Sequence, residues 1–141
     1  MGEKVRALGK HLIIELNGCD PATISYTDSV ESVLLQAAKL AKANIVTYHF
    51  HSFKPYGVSG MIIISESHFS IHTWPEYGYA AVDIFTCSET VNEQAAIDYM
   101  SASFKAKNVR VSELERGILE CDVPASPREV SLDEKVKEYR H

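Results

Sequence analysis

Apolar and polar positions change period several times along the chain, and each change marks an element. Residues 9–19, GKHLIIELNGC, read as a strand that closes in an Asn-Gly turn. In DSVESVLLQAAKLAKAN (28–44), Val30, Val33, Leu34, Ala37, Ala38 and Ala41 follow the helical period. Asp28 is placed to cap that helix, Glu31 completes a capping box, and Asn44 stops it. NIVTYHFHSF (44–53) is β-branched and aromatic and reads as a strand, and the Pro/Gly segment KPYGVSG is a loop. GMIIISES (60–67) is apolar at nearly every position, which predicts a central strand buried on both faces. HFSIHTW (68–74) alternates, with Phe69 and Ile71 on one side and His68, Ser70, His72 and Trp74 on the other. PEYG turns the chain into another strand, YAAVDIFTC (79–87). Thr90 and Glu93 form a second capping box, for a helix running to about Lys107. NVRVSELERGI (108–118) is the last strand.

The order β-α-β-β-β-β-α-β, with tight connections in the middle, predicts an α+β fold: an antiparallel sheet with two helices on one face. One domain spans residues 1–141, with no internal linker and no residue-level repeat. The uncovered face carries His, Ser, Thr, Trp, Asp and Cys. It is too mixed for a core and too aromatic for bare solvent. A second copy is the most economical cover, giving a homodimer of αββα sandwich type. The tail SPREVSLDEKVKEYRH (126–141) is polar and charged, and reads as a short helix or a frayed end.

Charge and cysteine content narrow the partners. A formal net charge of −5 argues against nucleic acid or an anionic membrane as the main partner. No apolar run approaches the ~20 residues of a membrane span, and no signal-peptide core precedes the first strand. Cys19, Cys87 and Cys121 form no CxxC pair, which argues against a disulfide framework or structural zinc and for reduced thiols in the cytoplasm.

The unusual segment is ISESHFSIHTWPEYGYAAVDIFTC (64–87), which puts Glu66, Ser67, His68, His72, Glu76, Asp83 and Cys87 into sheet-forming sequence. His49-x-His51 and His68-x3-His72 each place two imidazoles on one strand face, but strand histidines more often make ordinary hydrogen bonds, and no metal is expected. Ser67 with His72 lacks the GxSxG elbow of a hydrolase, and Cys87 lacks a cysteine-protease signature. No glycine-rich nucleotide loop is present.

Taken together, SESHFSIHTWPE followed by a cysteine at the end of the next strand resembles the prokaryotic-type pyruvoyl-dependent S-adenosylmethionine decarboxylases. The resemblance covers about residues 8–118, including GKHLIIELNGC and KPYGVSG. It implies a proenzyme that cuts itself between Glu66 and Ser67 into a β chain, 1–66, and an α chain, 67–141. Ser67 Oγ would attack the Glu66 carbonyl to give an ester. Elimination and hydrolysis would then leave a pyruvoyl group where Ser67 stood, the cofactor that forms a Schiff base with substrate. By the same resemblance, Ser59 would assist processing as the oxyanion donor and His72 would take the Ser67 α-proton. Cys87 would be the proton donor in decarboxylation. Phe53, Trp74 and Glu76 would bind the nucleoside and sulfonium of S-adenosylmethionine. The product would be the aminopropyl donor for spermidine synthesis. An arginine decarboxylase on the same scaffold and a non-catalytic homodimeric homologue are the alternatives. The resemblance assigns no role to His49, His51 or His68.

Overall fold

The computed structural model describes residues 6–119, so the expectation for the tail lies outside the described residues. Six strands form one antiparallel sheet: β1 (Arg6–Asn17), β2 (Ile45–Ser52), β3 (Val58–Ile64), β4 (Ser67–Trp74), β5 (Tyr79–Thr86) and β6 (Asn108–Leu119). Their order across the sheet is β2-β3-β4-β5-β1-β6. The hairpins β2-β3-β4-β5 follow the chain, and β1 joins β5 by pairing Lys10–Leu16 against Thr86–Ala80. Besides helices α2 (Thr27–Leu40) and α3 (Glu93–Ser103), a one-turn helix, α1 (Pro21–Ile24), that the sequence pattern did not disclose lies between β1 and α2.

The side-chain alternation decides which face is core. Leu12, Ile14, Leu16, Ile62, Ile64, Phe69, Ile71, Val82 and Ile84 point to one face and are buried against Val30, Leu34, Ala37, Ile97, Met100 and Phe104. Burying each large aliphatic side chain contributes roughly 1.5–3 kcal/mol. Both longer helices lie on that face, as the sequence predicts. The expectation for β3 is corrected. It is buried on one side only: Ile62 and Ile64 are enclosed, whereas Met61 and Ile63 are each 44% exposed. Apolar residues on both faces of this strand reflect a surface that nothing covers among the described residues.

The helix starts also differ from expectation. Asp28 does not cap α2 but sits in its first turn; Tyr26 is the N-cap residue and makes no side-chain cap bond. Ser29 Oγ donates to the Thr23 carbonyl at 2.8 Å, which ties the first turn of α2 back to α1. The end of α2 comes before Asn44: Lys42 adopts φ 62°, and Ala43 N–H closes onto the Ala38 carbonyl at 3.0 Å. Asn92, not Thr90, caps α3 by accepting from Ala95 N–H at 3.1 Å. Glu93 faces Lys10 on β1 instead, at 3.3 Å.

Candidate active site

The tight β3–β4 hairpin has only Ser65 and Glu66 between paired residues Ile64 and Ser67. Ser67 takes φ 143°, a torsion that favours glycine and strains an L side chain. The carbonyl before it is held from the neighbouring strand. Thr86 is the cross-strand partner of Ser67, so the chain leaving β5 brings Cys87 N–H to the Glu66 carbonyl at 2.9 Å. That donor polarises the carbonyl preceding the strained serine. Cys87 is exposed and lines a depression of about 340 Å³ with Gly9, Lys10, Glu89, Glu113 and Glu115. The Glu66 carboxylate is tied to Asn44, which the sequence offered only as a helix stop.

A second cluster lies at the far end of the same strands. Ser59 on β3 is the cross-strand partner of His72 on β4, and Ser59 Oγ and His72 Nδ1 share a hydrogen bond of 2.7 Å. They line a cleft of about 310 Å³ with Phe53, Tyr56, Trp74 and Glu76. Trp74 stacks on Tyr79, ring centres 5.4 Å apart, and stays 40% exposed. The loop carrying Phe53 is anchored where Gly57 N–H donates to the Ser25 carbonyl at 2.9 Å. Thr73 secures it too, accepting from Val58 N–H at 2.9 Å and donating to the Ile24 carbonyl at 2.8 Å.

The expected residues therefore fall into two groups. Glu66, Ser67 and Cys87 meet at one end of β4. Ser59, His72, Phe53, Trp74 and Glu76 meet at the other. Five residues of extended strand separate Ser67 from His72, about 17 Å at strand rise. One chain does not bring the imidazole to the serine.

Between the groups lies a network that sequence reasoning missed. Asp83 on β5 accepts from His11 Nε2 at 2.6 Å, from His68 Nε2 at 2.8 Å, and from the Ser70 hydroxyl. Arg116 lies 4.6 Å over the Phe85 ring and donates to His11 Nδ1 at 3.3 Å, which puts the His11 proton on Nε2. Burial alone would push the Asp83 carboxyl up. The bonds from Ser70, His11 and His68, with the neighbouring His68 imidazole, outweigh it and hold the group below the usual aspartate range. His11, His68 and Asp83 have metal-ligand composition, their ligand atoms all within 4.8 Å of one another. However, each Asp83 oxygen already has a protein donor, and a guanidinium stands beside His11. Among the described residues, this polar network accounts for His68 without a metal. The signal in the sequence was the period-two polarity of His11 and Glu15 around Ile13, which marks the same open face. Glu15 there accepts from the Tyr79 hydroxyl at 2.5 Å; burial first, then this bond and the carboxylate charge, raise the Tyr79 pKa to about 12.

The sheet and its helices match a solved fold of known class, that of an adenosylmethionine decarboxylase from Aquifex aeolicus. The TM-score is 0.76 at 34% identity, covering 84% of this chain and 98% of that one. The family model of S-adenosylmethionine decarboxylase matches residues 10–117, and the chain belongs to that family. Relatives named S-adenosylmethionine decarboxylase proenzyme include those of Thermodesulfovibrio yellowstonii, 45% identical over 91% of this chain and 95% of that protein, and Moorella thermoacetica, 49% identical over 82% and 93%. That of Pyrococcus furiosus is 43% identical over 92% and 93%.

Proposed function

We propose that this protein is made as a proenzyme, cuts itself between Glu66 and Ser67, and then decarboxylates S-adenosylmethionine with the pyruvoyl group so formed. The observation that carries the reading is the strained Ser67, φ 143°, next to a Glu66 carbonyl already held by Cys87 N–H at 2.9 Å. An ordinary hairpin residue has no need of that torsion, whereas attack on the preceding carbonyl benefits from it. The cut divides the single domain into a β chain, 1–66, and an α chain, 67–141.

The residues present fit a pyruvoyl group at position 67, because the precursor serine, its electrophile and a thiol-bearing residue converge there. When formed, that group supplies an electron sink for loss of CO2 from an α-amino acid. This chain's residues do the rest. Cys87 N–H stabilises charge on the Glu66 carbonyl during the cut, and the Cys87 thiol returns a proton to the substrate carbon. His72 takes the Ser67 α-proton, and Ser59 holds the His72 ring and supplies the second oxyanion donor. Phe53 and Trp74 receive the adenine and sulfonium, and Glu76 the ribose hydroxyls.

These assignments require two copies. With His72 about 17 Å along the strand from Ser67, a two-fold dimer packing open face on open face brings the Ser59–His72 end of one chain to the Ser67–Cys87 end of the other. The same packing covers Met61, Ile63 and the Asp83 network. No helix among the described residues is long and apolar enough to cross a membrane. Free Cys19 and Cys87 are in keeping with a cytoplasmic enzyme.

Denaturing mass spectrometry tests the central step. The parent chain should give two fragments meeting at 66/67, and Ser67→Ala should stay whole; a Ser67→Ala chain still cut there overturns the mechanism. The cut protein should release CO2 from S-adenosylmethionine and not from arginine, and the opposite preference overturns the substrate.

A further inference from the structure

The inference rests on the reading that the chain cuts itself at Glu66–Ser67. We propose that Asn44 is a positioning residue for that cut, acting through the Glu66 carboxylate. Asn44 stands just before β2 and engages the two-residue loop in three ways. Its carbonyl accepts from Ser65 N–H at 2.8 Å. Its N–H donates to Glu66 Oε1 at 3.2 Å, and its side-chain Nδ2 donates to Glu66 Oε2 at 2.8 Å. On the opposite side Cys87 N–H holds the Glu66 main-chain carbonyl at 2.9 Å. Residue 66 is thus fastened to two strands that flank the hairpin, β2 by its side chain and β5 by its carbonyl.

The consequence follows from the torsion at the next residue. A hairpin free at residue 66 can relieve the φ of 143° at Ser67 by rotating the 66–67 peptide plane. Fastening both ends of Glu66 opposes that rotation. In the acyl shift, Ser67 Oγ bonds to the Glu66 carbonyl carbon and the carbon–nitrogen bond breaks. The hydroxyl proton ends on the freed amine, so the step is an isomerisation that needs no co-reactant. Its rate depends on how much of the time Oγ faces the carbonyl carbon. Asn44 raises that fraction without touching the reacting atoms. Both Asn44 and Glu66 precede the cut, so the clamp also holds the new chain end afterwards.

The test follows cleavage by denaturing mass spectrometry after cell-free synthesis, with melting temperatures measured in a Ser67→Ala background. Asn44→Ala should slow cutting roughly fivefold, the size of an exposed hydrogen bond to a carboxylate. Asn44→Asp, which sets two carboxylates against each other, should be slower still. The exchanged pair Asn44→Asp with Glu66→Gln restores a donor–acceptor contact with roles reversed and should recover most of the loss. Hydroxylamine, which releases accumulated ester, should leave the Asn44→Ala rate low, because the loss lies before the ester. Parental rates in Asn44→Ala, no recovery in the exchanged pair, or full rescue by hydroxylamine each overturn the proposal. A parent chain that never cuts overturns the self-cleavage reading instead, and this proposal with it. A fall in melting temperature without recovery in the exchanged pair marks Asn44 as merely structural.

Discussion

In the proposed mechanism Cys87 acts through two different atoms, and the two can be separated. Its main-chain N–H reaches the Glu66 carbonyl at 2.9 Å, whereas its thiol is free and exposed. A side-chain substitution leaves the N–H in place. Cys87→Ala should therefore still cut at close to the parental rate, while decarboxylation of S-adenosylmethionine falls by roughly a hundredfold, the scale of one proton-transfer group. Fragment masses and CO2 release from the same preparation check both halves. Loss of cutting in this variant means that the thiol, not the N–H, acts on the scissile carbonyl. The other cysteine within the described residues behaves differently: burial raises the Cys19 thiol to about 11, leaving it inert beside the Leu16 carbonyl.

Strands β1, β4 and β5 are tied together on their open face by the carboxylate that links His11, His68 and Ser70. Asp83 has its native pKa held below the ordinary value of about 3.9. Its ionised form is the one the fold stabilises, so the contribution is complete above that ordinary value. It is lost as pH falls through the lower native one. Asp83→Asn should lower stability by about 1–2 kcal/mol at neutral pH, a hydrogen-bonded partly buried group being at stake. Denaturant midpoints of parent and variant should converge as the solution is acidified into that range. A gap that stays constant with pH excludes the charge as its cause. This network shows where sequence reading stops. Alternation in HFSIHTW and YAAVDIFTC placed His68 and Asp83 on one face, because side chains in a strand have period two. Which residue meets which depends on register, and His11 reaches Asp83 only because β1 crosses back to lie beside β5. The capping boxes were misread for a related reason. Asp28 and Thr90 have suitable neighbours in sequence, but α2 already begins at Thr27, and Asn92 stands immediately before α3. The motif drew Ser67 and Cys87 together, and the structure places them side by side, whereas Asn44 looked like a stop signal because its partner Glu66 is 22 positions away.

The two ends of β4 set the requirement for the whole molecule. The proposed mechanism needs both Ser67 and His72, and one chain holds them apart. Mixing subunits therefore gives a direct test. Ser67→Ala and His72→Ala chains should each stay uncut alone. Co-expressed in equal amounts, they should yield cutting in about a quarter of all chains, since half the dimers are mixed and one site in each is intact. Absence of cutting in the mixture argues for a site within one chain. The strand order has a separate consequence for the product of the proposed cut. Reading across β2-β3-β4-β5-β1-β6, the piece before the cut supplies the first two strands and the fifth, and the piece after it supplies the third, fourth and sixth. The halves are interleaved, not side by side, and three of the five ladders run between them. A severed molecule can come apart only by unzipping most of its sheet, so the nick is silent while the protein is folded. Once unfolded, its pieces diffuse as strangers, and renaturation becomes a collision between molecules rather than a search along one chain.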